Sequence, residues 1–262
     1  MRLFVFIGIV LGAIALSIWR QISRAKMSLD SVVKAYNIGD YQTALQNTES
    51  LRVGSTKTAE YCFMRGAMLH QLGWLEEAET SLREGLPMQR DPRSRSLVLN
   101  TLGQVLMDQG RFAEAVKTFD YAIGAWTDRG APHSEIAQAW LHQGIELPAA
   151  LNRARVALEI DRASRAPNKI HNSRIAEAGS ILAWAVAVVA GDAAEVESLL
   201  TEAIPLGADQ SKSVQAHIHY YAGLAYSALK EKEKSVKNFR AAVEVDPYGR
   251  YGRFARIELE RV

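Results

Sequence analysis

An all-α array of helical hairpins is the fold class predicted by this sequence, on three observations. Leu97 to Asp128 reads as two apolar-periodic segments of about a dozen residues each that meet at Gly110-Arg111, the pattern of two helices joined by a tight turn. Glycines recur in the same place along the chain, at Gly39, Gly73, Gly110, Gly144 and Gly191, and five residues after them come Ala44, Ala78, Ala115, Ala149 and Val196. Gly39 to Gly73 and Gly110 to Gly144 are each 34 residues, whereas Gly73 to Gly110 is 37 and Gly144 to Gly191 is 47. Extra residues therefore enter between hairpins, and a hairpin that cannot cover its own apolar flank needs neighbours of the same kind.

In the central hairpin Leu99, Leu102, Gly103 and Leu106 share one face, and Ala115, Phe119, Ala122 and Ile123 share the face opposite. Gly103 and Ala115 lack bulk where the helices cross, and Gly110 suits a left-handed exit from the first helix. The unit resembles the tetratricopeptide repeat, whose pattern W-x2-L-G-x2-Y, A-x3-F, P is met by Leu102, Gly103, Ala115 and Phe119. Leu99 and Leu106 replace its aromatics and the closing proline is missing. The last unit has Lys230 in place of the turn glycine, yet Gly223, Tyr226, Phe239, Ala242 and Pro247 fit the pattern well. The resemblance covers Ser28 to Pro247. It implies a right-handed superhelical solenoid of about six hairpins over residues 28–262. Tyr248 to Val262 is then a capping helix, with Tyr251, Phe254 and Ile257 covered and Arg250, Arg253, Arg256 and Glu260 toward water.

Composition suits a folded domain: 262 residues, 48% hydrophobic and 23% charged. The net charge of +2 gives no global drive toward polyanions, and glutamates 258 and 260 interrupt the Arg250, Arg253, Arg256, Arg261 stripe, so no nucleic-acid partner is expected. The single cysteine, Cys62, lies on an apolar face and reads as a small core residue.

Leu3 to Trp19 is an uncharged apolar run bracketed by Arg2 and Arg20, long enough to be read as a single transmembrane anchor over residues 3–19. Residues 20–27 form a basic juxtamembrane linker. Arg20, Arg24 and Lys26 outweigh Arg2 and the amino terminus, which favours a cytoplasmic repeat domain. Gly8 and Gly12 form a G-x-x-x-G pair through which a homodimer could pack. A second reading is a signal peptide cleaved after Ala13-Ile-Ala15, leaving Leu16 as the mature end of a periplasmic or secreted protein in envelope assembly. The apolar stretch within Ile175 to Ala190 is too short for another span and reads as a central buried helix.

Two segments interrupt the ladder. Gln89 to Ser96 reads as a charged loop. Arg162 to Ser173 reads as an exposed loop or an extended helix end, and a regulatory or catalytic protein using this insertion is a third functional reading. No phosphate loop, nucleophile elbow or H-E-x-x-H is present, and His217 and His219 lie about 200° apart on a helix, unable to share a metal. A non-catalytic protein without cofactor or metal is expected. The resemblance implies a concave groove lined by the first helix of each hairpin: Phe63, His70 and Gln71; Asn100, Gln104 and Asp108; Gln138 and His142; His217 and Tyr220. Amide and phenol groups of this kind hydrogen-bond an extended backbone, so the expected partner is a protein or peptide segment. The lysines with which some of these domains clamp acidic chaperone tails are lacking at the corresponding places.

Overall fold

Among the described residues six antiparallel helical hairpins follow one another and a further helix returns across their inner face. The structure is a computed structural model, and it describes residues 29–52, 56–164 and 168–261. The anchor expected over 3–19, the linker over 20–27 and the Gly8/Gly12 pair lie outside the described residues. The hairpins are α1 (residues 29–37) with α2 (Tyr41–Thr48), α3 (Ala59–Leu72) with α4 (Leu75–Gly85), and α5 (Pro92–Asp108) with α6 (Phe112–Ala125). Next come α7 (Ala131–Gln143) with α8 (Leu147–Ala163), α9 (Lys169–Val189) with α10 (Ala193–Gly207), and α11 (Lys212–Ala228) with α12 (Lys232–Val245). The last helix is α13 (Arg250–Leu259).

Local chemistry sets these boundaries. Side chains of Asp40, Thr58, Asp91, Asn168, Asp192 and Ser211 each accept from a backbone N–H in the first turn of the helix that follows, which satisfies donors that a helix start leaves unpaired. The predicted turn glycines all adopt the left-handed conformation, with φ of 78, 81, 77, 67 and 63° from Gly39 to Gly191. Lys230 takes the same conformation at φ 63°, which costs a residue with a Cβ roughly 1–2 kcal/mol.

One register shift was not legible in the spacing. Helices α2, α4, α6 and α10 begin two residues after their glycines, but α8 begins three after Gly144, at Leu147. Glu146 absorbs the extra residue in a left-handed conformation, φ 50°. The buried small residue of that hairpin is consequently Ala150, wholly buried, and Ala149 is only half-buried. Ala44, Ala78, Ala115 and Val196 are all fully buried as expected.

Both irregular segments are mostly helix. Pro92 is the first residue of α5, where its missing N–H costs nothing, so most of Gln89–Ser96 belongs to that helix. The ends of Arg162–Ser173 extend α8 and α9, the latter to 21 residues. Among the described residues, much of the added length between repeats goes into longer helices. Helix α9 carries a nearly continuous buried run from Ala178 to Ala187, the central buried helix expected. Among the described residues no helix is long and apolar enough to cross a membrane.

The helices pack as the small residues require. A Cβ built on Gly103 would stand 2.4 Å from Phe119 Cε1, and one on Gly223 would stand 2.5 Å from Phe239 Cε1. Each glycine is where the aromatic of its partner helix lies flat on the backbone. Buried serines add a second tie within hairpins: Ser81 donates to Cys62 O at 2.9 Å, Ser96 to Ala122 O at 2.8 Å and Ser235 to Gly223 O at 3.0 Å. Cys62 is a free, fully buried core residue.

The array curls until its ends touch. Tyr41 at the start of α2 donates its hydroxyl to Asp246 Oδ2 at 2.5 Å, across 205 residues. Gly103→Ala is expected to lower stability by about 1–3 kcal/mol through overpacking against Phe119. Gly124→Ala, with no atom within 4 Å of the added carbon, is expected to be neutral or slightly stabilising. Urea denaturation followed by circular dichroism checks both.

Candidate functional site

The inner face of the array is built from the first helices of the hairpins, as the repeat pattern implies, and α13 lies across it. The side predicted to face water is buried at its start. Arg250 is 2% exposed and its guanidinium forks onto the Asp108 carboxylate, Nε to Oδ2 and Nη2 to Oδ1, each at 2.6 Å. Asp108 Oδ2 also takes a hydrogen bond from His70 Nε2 at 2.8 Å. Gln71 Oε1 accepts from the Arg250 backbone N–H at 3.2 Å, and Arg250 Nη1 donates to the Tyr251 hydroxyl at 2.6 Å. An arginine can be buried here because a fixed fork meets a planar carboxylate and its remaining terminal nitrogen donates to the Tyr251 hydroxyl. The helix therefore seals the groove between distant hairpins as well as covering the last one.

Burial alone would raise the Asp108 carboxyl, but Arg250 and His70 outweigh it and hold it far below the usual carboxylate range. Burial pushes the His70 imidazole down, so it is a neutral donor to a charged carboxylate at neutral pH.

Next to this ion pair the rings stack in a cluster. His217, 3% exposed, is held between Tyr221 and Tyr251 with ring centres 4.7 and 4.6 Å away. Tyr220 packs on Tyr251 and Phe254 at 5.8 and 5.9 Å. Burial and the Arg250 charge lower the His217 imidazole to about 3.

Beyond the cluster, α13 leaves a small polar chamber of about 80 Å³, lined chiefly by Asn100, Gln104, Arg129, Glu135, Arg174 and Glu177. Gln104 Nε2 donates to Glu135 Oε1 at 2.5 Å. The Asp161 carboxylate takes the Gly130 N–H at 3.2 Å and pairs with Arg174. Six buried atoms of its lining residues have no hydrogen-bond partner among the described residues: Asn100 Oδ1, Arg129 Nη1, Ser134 Oγ, Glu135 Oε2, Arg174 Nε and His217 Nδ1. Leaving such groups unpaired costs about 1–3 kcal/mol each, and the chamber has room for a few waters or one small polar group. Burial raises Glu177 to about 7, reinforced by Glu135 and Asp161 and opposed by Arg129 and Arg174.

The structure distributes the ten predicted groove residues among three settings. His70, Gln71, Asp108, His217 and Tyr220 lie under α13, so the open groove expected there is filled: Arg250 and Tyr251 supply the charge and the ring that these residues can receive. Asn100 and Gln104 line the chamber, which His217 also touches, while Gln138 is fully buried and accepts from the Tyr221 hydroxyl. Phe63 is half-buried between the second and third hairpins, and His142 sits exposed at the rim with its ring 4.8 Å from Trp184. Sequence reasoning passed over Glu135, Asp161, Arg174 and Glu177. Glu135 stands one turn before Gln138, on the face already assigned to the groove, so helical spacing contained that signal.

Asp108→Asn is expected to destabilise the fold by about 3–5 kcal/mol, since it leaves Arg250 buried and unpaired. Asp108→Leu with Arg250→Leu together is expected to cost less than the single change, measured by chemical denaturation. For Glu177 the folded value lies above the free carboxyl value of 4.5. The folded state thus binds the extra proton between pH 4.5 and 7, and the contribution to stability is full below 4.5 and lost as pH rises through 7. Glu177→Gln is therefore expected to melt above the parent at pH 8 and with no advantage at pH 4.

Comparison with known proteins supports the repeat architecture. Residues 59–92 and 216–248 match the tetratricopeptide repeat family, and these two windows correspond to α3–α4 and α11–α12 with their flanking residues. No curated protein sequence matches the chain. Among solved structures the chain is similar to one in the APC/C hetero-tetramer Cut9-Hcn1, with a TM-score of 0.63 and 13% identity over 91% of this chain. It spans 42% of that chain's length. It is also similar to TTC0263, a thermophilic TPR protein of Thermus thermophilus, with a TM-score of 0.56 and 15% identity over 78% of this chain and 98% of the other. At these identities the likeness establishes the fold alone: an all-α, tetratricopeptide-repeat-like solenoid.

Proposed function

We propose that this tetratricopeptide-repeat protein is a non-catalytic scaffold that binds a protein segment on its inner face and is held at a membrane through residues 3–19. The repeat domain is placed on the cytoplasmic side, where it serves assembly or regulation of a membrane-associated complex. The observation that carries this reading is the polar chamber. A few donors and acceptors, buried and unpaired, converge beside Asn100 and Gln104 at a stretch of the inner face that α13 leaves open. Such an arrangement receives a polar side chain or a backbone turn of a partner, whose hydrogen bonds replace those of water. Proteins built on this repeat bind protein or peptide partners as a class, which is the general support for the reading.

The apolar segment Leu3–Trp19 supports the membrane assignment, with the basic residues after it favouring the cytoplasmic side. A single experiment addresses both parts. Full-length tagged protein is expected to fractionate with membranes, resist alkaline extraction and capture a partner from the detergent extract. Asn100→Ala with Gln104→Ala is expected to leave fractionation unchanged and to abolish capture. Recovery in the soluble fraction with a mature terminus at Leu16 overturns the anchor, and undiminished capture overturns the chamber as the binding site.

A further inference from the structure

Where the curled array meets itself, a second and larger recess opens on the outside of the seam, about 620 Å³ in volume. One wall is the turn between α1 and α2, with Ile38, Gly39 and Asp40, and below it stand Leu72 and Trp74 from the next turn. The other wall is Lys212 at the start of α11, Asp246 to Tyr248, and Arg253 and Arg256 of α13. Three large side chains there are open to solvent: Ile38 at 57%, Trp74 at 50% and Tyr248 at 74%. Scattered exposed apolar residues mean little, but three converging on one concavity mark a binding surface.

The charges around the recess are unbalanced in a specific way. Both carboxylates are engaged within the fold: Asp40 caps α2 through Thr43 N at 3.1 Å, and Asp246 accepts from the Tyr41 hydroxyl and from Gly249 N. Among the described residues none of the three cations has a carboxylate partner. Arg253 donates to the carbonyls of Gln71 and Tyr248, Arg256 donates to the carbonyl of Pro247 at 2.9 Å, and Lys212 forms no ion pair. Backbone carbonyls fix the guanidiniums in place; Asp246, close enough to act on Lys212 and Arg253, and Asp40 offset two of the three positive charges, so the lining keeps an excess of one, preorganised for an anion.

We infer that this seam is a second docking site, and that its occupant is an acidic peptide segment carrying one large apolar side chain. The acidic groups pair with Lys212, Arg253 and Arg256 while the apolar group lies against Trp74, Ile38 and Tyr248. Charge complementarity selects this occupant over the chain's own leading segment, since Arg20, Arg24 and Lys26 give residues 20–27 the same sign as the recess. The inference rests on the scaffold reading only in taking the partner to be a protein.

The test is fluorescence anisotropy with the full-length chain in neutral detergent at low salt. The probe is a labelled synthetic peptide of aspartate and glutamate flanking one tryptophan; the controls are its lysine/arginine counterpart and the acidic peptide with glycine for tryptophan. The acidic tryptophan peptide is expected to bind, and both controls to bind much more weakly. Lys212→Glu with Arg256→Glu is expected to weaken binding roughly tenfold or more, and raised salt to do the same. Trp74→Ala, at a half-exposed position, is expected to weaken it as well while leaving the circular dichroism spectrum unchanged. Asn100→Ala with Gln104→Ala is expected to leave it unchanged, so loss of capture in that variant and loss of peptide binding in the seam variants report on separate sites. No binding of the acidic peptide, equal binding of the basic one, or undiminished binding in both seam variants overturns the inference. So does competition by phosphatidylserine doped into the micelles, which assigns the recess to lipid. Concentration-dependent self-association abolished by the seam variants also overturns it, assigning the recess to a second copy.

Discussion

The fork of Arg250 on Asp108 is the contact on which the inner architecture depends. It joins residues 142 apart in sequence, with both side chains almost fully enclosed. A charge removed from water so completely is tolerable only where its partner is held in register, and the register comes from elsewhere. Asp246 closes on Tyr41, Gln71 receives the first N–H of α13, and His70 fixes the second carboxylate oxygen. The ion pair thus acts as a specificity device. It allows one placement of α13 across hairpins whose apolar faces alone accept several.

That placement divides the inner face. Where Tyr251 and Phe254 reach, the groove is dry and aromatic, with His217 kept neutral between two phenol rings. Where they do not reach, polar side chains from α5, α7 and α9 remain opposite one another with incomplete pairing. A groove that an open array would present along its whole length is divided into the polar chamber and a recess of about 320 Å³ on the other side of α13, lined by His142, Tyr220, Phe254 and Ile257 among others. The outer surface of the closure gains what the inner face loses, because bringing α13 back against the first hairpins also brings Arg253 and Arg256 beside Trp74.

The hairpin ladder was readable because its causes are local. A left-handed turn selects glycine, and a close crossing selects Gly103 or Gly223 opposite a phenylalanine. The shift at Glu146 was hidden because a single extra turn residue changes no periodicity. The stretch Gln89–Ser96 was misread as a loop because proline and charge suggested one, although Pro92 at a first helical position is as favourable as any residue; in Arg162–Ser173 the described residues follow the helix-end alternative. The groove candidates His70, Gln71 and Asp108 lie beneath α13. Their fate was not legible, because α13 is amphipathic in a way that fits a terminal cap equally well. Whether Arg250 faces water or a carboxylate depends on how far the array curls, which accumulates from small rotations over six hairpins.

The contact between Tyr41 and Asp246 changes what kind of object the chain is. An open stack of repeats behaves like a one-dimensional row, in which the outermost pair peels away first and each unit reports mainly its own stability and that of its neighbours. Here the first and last members are tied together and a strap crosses the middle, so neither extremity is free to peel. Loosening any one coil pair releases contacts on the far side of the molecule, and melting takes on the all-or-none character of a globular domain.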